Sequence, residues 1–127
     1  MGSLTTVEAD AILTAQSGGT TYPAPTGAIK IALNTVVGSA SAAGTEVTGG
    51  SYARQTASFS AASANSQTTS GALTYTSMPA VTVTSVDEWD SAGTPIRRQW
   101  GLLTASKTTN LGDTFSIAGG SYTKTLN

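Results

Sequence analysis

Polar and apolar residues alternate over several short stretches of this chain, and turn-forming residues separate them. Ile29, Ile31 and Leu33 interleave with Lys30, Ala32 and Asn34. That is the two-residue period of a strand with one wet face. Strand patterns recur at Tyr52 to Phe59, Ala72 to Ser77, Val81 to Val86, Ile96 to Thr104, Gly112 to Ile117 and Tyr122 to Leu126. In the fourth of these runs, Val81 and Val83 are expected inward, with Trp89 beyond them. Gly49-Gly50, Gly93, Gly112 and Gly119-Gly120 punctuate the pattern, since glycine takes tight turns without steric cost. Val36 to Ala43 and Ser60 to Gly71 are small and polar and read as loops. About seven short strands at hairpin spacing predict an all-β fold, an antiparallel β-sandwich or small barrel, of which the sandwich is preferred.

One segment departs from this period. Leu4 to Gln16 is predicted to be a short N-terminal helix. Thr5 or Thr6 serves as N-cap, Glu8 lies in the first turn where the dipole favours it, and Gly18-Gly19 ends the helix. Val7, Ala11 and Leu13 to Ala15 give it a weak apolar stripe. A helix of this length is marginal alone and must pack on something. Two placements are open: a lid on one end of the sheet, or an arm on a neighbouring subunit. Pro23 and Pro25 bracket an extended connector. The chain is therefore read as a single β-sandwich domain, 1–127, with 1–27 as helical arm and connector.

Composition agrees with this reading. Ser and Thr make up roughly 30% of the 127 residues, and charged residues only 10%. Thr favours strands, and Ser and Gly favour turns. Six basic and seven acidic residues leave a net charge of −1, which offers no long-range attraction to nucleic acid or anionic lipid. No stretch is long and apolar enough to cross a membrane. The N-terminus lacks the basic start and apolar run of a signal peptide, so synthesis and use without secretion are expected. Weakly charged surfaces tend to associate, which suits a component of an assembly.

Candidate chemistry is sparse. The chain has no Cys and no His, which removes the usual ligands of zinc and the commonest general base at neutral pH. Asp87, Glu88 and Asp90 cluster, but their spacing does not match a calcium loop. They are expected in a solvated turn, with Asp90 bonding the backbone ahead of Gly93; a weak cation site and an acid–base pair are the rarer readings. No Ser lies in a G-x-S-x-G elbow, and Ser106-Lys107, adjacent on a strand, would point to opposite faces. No phosphate loop is present. The expectation is a non-enzyme with no catalytic, metal or cofactor residues. Trp89, Trp100, Tyr52 and Tyr75 read first as core and interface packing, and alternatively as a sugar-binding platform. Arg97-Arg98 could reach the Asp87–Asp90 cluster, within the chain or on another subunit. Candidate partner contacts are Leu4, Val7, Ile12, Trp89, Arg97 and Arg98.

The order of short motifs adds a resemblance. Gly18-Gly19, Tyr22 to Pro25, Ile31 to Thr35, Ala43 to Gln55, Asp90 to Gly93, Trp100 to Leu103 and Gly112 to Gly120 follow one another as in small virion proteins of tailed bacteriophages. Members of that group are labelled tail fibre, minor tail, minor capsid or head decoration. The most specific piece is the A-G-T-E-V-[ST]-G-G-x-Y-x-R-Q stretch that ends at Gln55. The chain departs from the pattern at Glu88-Trp89, where a small or aliphatic pair is usual, and at Val36 to Ala42, which lacks an Asp-Pro. The resemblance implies a structural virion protein made in the host cytoplasm. Capsid decoration is the preferred expectation: a cement protein on the capsid surface, in contact with the major capsid protein and with itself, as a homotrimer. The alternative is a tail-fibre or receptor-binding module recognising host surface glycans at an aromatic and polar groove near Trp89 or Trp100.

Overall fold

A computed structural model describes residues 2–126. After β1 (Ser3–Leu4) and α1 (Thr6–Gln16) come β2 (Lys30–Val36), β3 (Thr45–Glu46), β4 (Gln55–Thr56), β5 (Ser66–Thr68) and β6 (Leu73–Met78). β7 (Val81–Trp89), β8 (Arg97–Thr109), β9 (Asp113–Ile117) and β10 (Thr123–Thr125) complete the chain. The larger sheet runs β1-β8-β7-β2, and both β3 and β4 pair with the outer edge of β2. β10 pairs with β5, and β6 with β9, in two smaller sheets. All of these pairings are antiparallel. The fold is an all-β sandwich with one short helix, as the alternation predicts.

The core lies between the large sheet and the two small ones. Ile31 and Leu33 of β2 and Val83 and Val86 of β7 meet Leu73, Tyr75 and Met78 of β6, Phe115 of β9 and Tyr122. Tyr75 is its hub. Its ring stacks on Tyr52 at 6.0 Å and meets Phe115 edge-on at 6.0 Å. Its hydroxyl donates to the Ile31 carbonyl at 3.0 Å, so burial of the ring leaves no orphaned polar atom.

The Gly44–Gln55 motif has a structural explanation. β3 and β4 do not form the single strand expected from Tyr52 to Phe59. They cover the edge of β2 in two pieces, and the chain between them swings away. Tyr52 fills the gap: its hydroxyl accepts from the Leu33 amide at 2.8 Å and donates to Glu46 at 3.0 Å. Arg54 closes the excursion with a two-pronged contact to Glu46 at 3.0 and 2.8 Å, the fork geometry that strengthens such pairs. The turn itself needs Gly49 and Gly50, at φ of 100° and 59°. A Cβ on Gly50 would lie 2.4 Å from the Ser77 carbonyl oxygen. Gly50→Ala is therefore expected to cost ~1–3 kcal/mol, from strain at positive φ together with the backbone clash. A urea midpoint equal to that of the parent protein would refute this account.

Other expectations need correction. β5 falls within the stretch Ser60 to Gly71 read as a loop, and two-residue β1 was not foreseen. β7 and β8 run further than the alternation suggests, to Trp89 and Thr109. Ala32 and Asn34 were placed on a wet face, yet both are buried. The glycine-flanked segment 38–44 crosses that side of the sheet: the Gly44 amide donates to Asp87 at 3.0 Å, and the Arg97 guanidinium donates to the Ser39 carbonyl.

Candidate functional site

α1 begins as the sequence predicts. Thr5 is the N-cap, its side chain accepting from the Glu8 amide at 3.3 Å. Its docking is the reverse of the expected apolar contact. Glu8 is the buried residue of the helix, whereas Val7 and Leu13 are each 61% exposed. Ile12 and Leu4 are half-buried. What holds the helix is a charged knot against β8. Arg98 contacts Glu8 at 2.8 Å with one nitrogen and Asp90 at 2.8 Å with the other. It also donates to the Pro23 carbonyl at 3.2 Å. The Tyr22 hydroxyl donates to Glu8, which ties the connector into the same knot. Burial first, then the Glu8 carboxylate, pushes the Tyr22 phenol up to about 12.

The acidic cluster is not a solvated turn. Asp87 and Glu88 lie within β7, and with Asp90 they are at most 2% exposed. Burial of charge is unfavourable unless partners are supplied. Asp87 meets Arg97 at 3.3 Å. Glu88 meets Lys124 at 3.0 Å and accepts from Tyr122 at 3.2 Å. Asp90 accepts from the amides of Ile96 and Ala92, so its expected backbone bonding is observed. Arg97 and Arg98, considered as partner contacts, turn inward onto these acids of their own chain.

For Asp90, burial alone would raise the carboxyl pKa. The Ile96 amide, Arg98 and the Ala92 amide outweigh it and hold the pKa below its ordinary value. A depressed carboxyl stabilises the fold above the unfolded-state value of about 3.9, and that contribution is lost as pH falls through the folded value. Stability is therefore expected to decline below about pH 4, and Asp90→Asn should flatten this part of the profile. Parallel urea-midpoint profiles for the two proteins would contradict the assignment.

The two tryptophans share one side of the large sheet. Trp100 pairs with Asp87 and Trp89 with Arg97 across β7 and β8. Trp89 is half-buried, with the Arg54 guanidinium 4.5 Å from its ring centre, rather than turned into the core. Asn34 and Ser85 pair directly across β2 and β7 on this same side. The structure thus brings together the aromatic and polar residues that the sequence offered as a sugar platform. It does not bring Arg98 or α1 to them. On the other side of α1's base, Leu4, Ile12, Tyr22, Ile29 and Leu126 line a cavity of about 330 Å³. Among the described residues, no group of three or more His, Cys, Asp or Glu side chains is placed to hold a metal ion, and no helix is long and apolar enough to cross a membrane.

A small β-sandwich whose buried charges satisfy one another and whose helix turns its apolar residues outward is a structural module; it is a virion protein of a tailed phage. The family described as podophage GP4 fiber I protein gp80 matches residues 3–125, and the chain belongs to that family. No curated protein matches it. The family's description favours the fibre alternative over capsid decoration.

Proposed function

We infer that this chain is a non-enzymatic component of a phage tail fibre that contributes to recognition of sugars on the host surface. The observation that carries the reading is the match to a fibre family over residues 3–125. Two features support it. The buried acids are each engaged by a cation or by backbone amides, which leaves little for general acid–base work. The outward Val7 and Leu13 of α1 offer apolar contact area, and grouped exposed apolar residues mark protein interfaces. The neighbours on this reading are further copies of the chain, three-fold clustering being one arrangement, and the base of the tail. The major capsid protein is not among them.

Gold-labelled antibody against the purified chain, applied to intact virions, tests the location. Label on fibres is expected. Label distributed over the head would return the reading to capsid decoration.

A further inference from the structure

The side of the large sheet beneath segment 38–44 carries polar atoms without partners. Both side-chain atoms of the Asn34 amide, the Ser85 hydroxyl and the Trp100 indole N–H are buried with no hydrogen bond. Asn34 and Ser85 are each 1% exposed. Buried polar groups are almost always paired, and each orphan costs about 1–3 kcal/mol. These atoms are neighbours: Asn34 faces Ser85 across β2 and β7, and Trp100 faces Asp87 across β7 and β8. Ala32, opposite Asp87, leaves a notch between them.

The cover over this notch is weakly attached. Gly38, Ser39, Ala40, Ser41, Ala42, Ala43 and Gly44 include no side chain larger than Ser, so the segment adds little apolar burial. Its ties to the rest of the chain include the Gly44–Asp87 and Arg97–Ser39 bonds and the Thr6 amide to the Ala40 carbonyl at 2.9 Å. Lifting it breaks those bonds and frees the orphans to find partners, two terms of similar size.

We propose that segment 38–44 is a lid over a saccharide site formed by Asn34, Ser85, Asp87 and Trp100. The site supplies an amide donor and acceptor, a hydroxyl, a carboxylate acceptor and an indole donor with an aromatic ring. Alternating donors and acceptors beside an aromatic surface match the vicinal hydroxyls and C–H face of a pyranose. The surrounding charges are already paired, Asp87 with Arg97 and Glu46 with Arg54, so the ligand is a neutral sugar. The proposal rests on the fibre reading for its biological source, a host surface glycan.

Two-dimensional ¹H–¹⁵N NMR of the full chain tests it. Glucose, galactose, mannose and N-acetylglucosamine, and short neutral oligosaccharides of each, are the probes. The Trp100 indole and Asn34 side-chain signals should shift with at least one probe, together with the amides of 38–44. Trp100→Phe keeps the ring and removes only an N–H that has no partner, so it should leave the fold intact. It should weaken binding about tenfold, the effect of one lost hydrogen bond. Ser85→Ala should act similarly. No shift with any probe, or equal affinity in Trp100→Phe and Ser85→Ala, overturns the site. Sugar binding with head labelling in the virion experiment would leave the site standing and remove the fibre reading. Fibre labelling without any shift would do the reverse.

Discussion

Arg98→Ala is expected to lower the thermal midpoint by about 10–20 °C, on the basis of ~3–5 kcal/mol for breaking a buried ion pair. The side chain sits between Glu8 and Asp90, and its removal leaves two buried carboxylates without their cation. Such residual charge, more than the lost attraction, is what makes single removal costly. The loss should also reach beyond β8. Arg98 joins the helix through Glu8, the connector through the Pro23 carbonyl and the β7–β8 turn through Asp90. Amide exchange in Ala9 to Gln16 should accelerate more than exchange in β2. Combining Arg98→Met with Glu8→Gln and Asp90→Asn removes both unpaired charges and should recover much of the stability. Unchanged unfolding of Arg98→Ala would mean that the helix is held by its apolar residues after all.

Tyr75→Ala should be comparably damaging, at ~3–5 kcal/mol for a large aromatic removed from a packed core. The void would open between Tyr52 and Phe115, both of which pack on the ring. Tyr52 also holds the edge of β2 through the Leu33 amide, so loss of its stacking partner should loosen the Glu46–Arg54 excursion. Tyr75→Phe separates the two roles. It keeps the ring and deletes only the bond to the Ile31 carbonyl, at ~1 kcal/mol. Urea titrations of both variants measure the difference, and equal midpoints for Tyr75→Phe and Tyr75→Ala would contradict the packing account.

Strands with strong local pattern were legible in the chain. Ile31 and Leu33, Val81 and Val83, and the Gly49-Gly50 turn report short-range physics, and the structure places them as expected. Asp87 and Glu88 misled because acids favour turns and depress strand propensity. Their compensating partners Arg97, Tyr122 and Lys124 lie far along the chain, beyond any local window. Ala32 and Asn34 failed for a related reason: alternation identifies two faces of a strand but not what later covers the second. β1 and β3, of two residues each, are too short to show a period at all. The helix start followed from Thr5 and Glu8. Its docking did not, because a salt bridge to Arg98 outweighed a weak apolar stripe. Of the candidate site, Trp89, Trp100 and the nearby Asn and Asp were visible as residue types. Their convergence required the register of β2, β7 and β8.

The two-piece cover on β2 has a bearing on crowding. A lone strand margin exposes a ladder of unsatisfied amides and carbonyls that can template pairing with another molecule. Here β3, the Tyr52 phenol and β4 occupy that margin in succession. Copies brought close together on one particle therefore meet no open ladder there. That flank of the protein resists zippering into amyloid-like ribbons even at the high local concentration assembly creates.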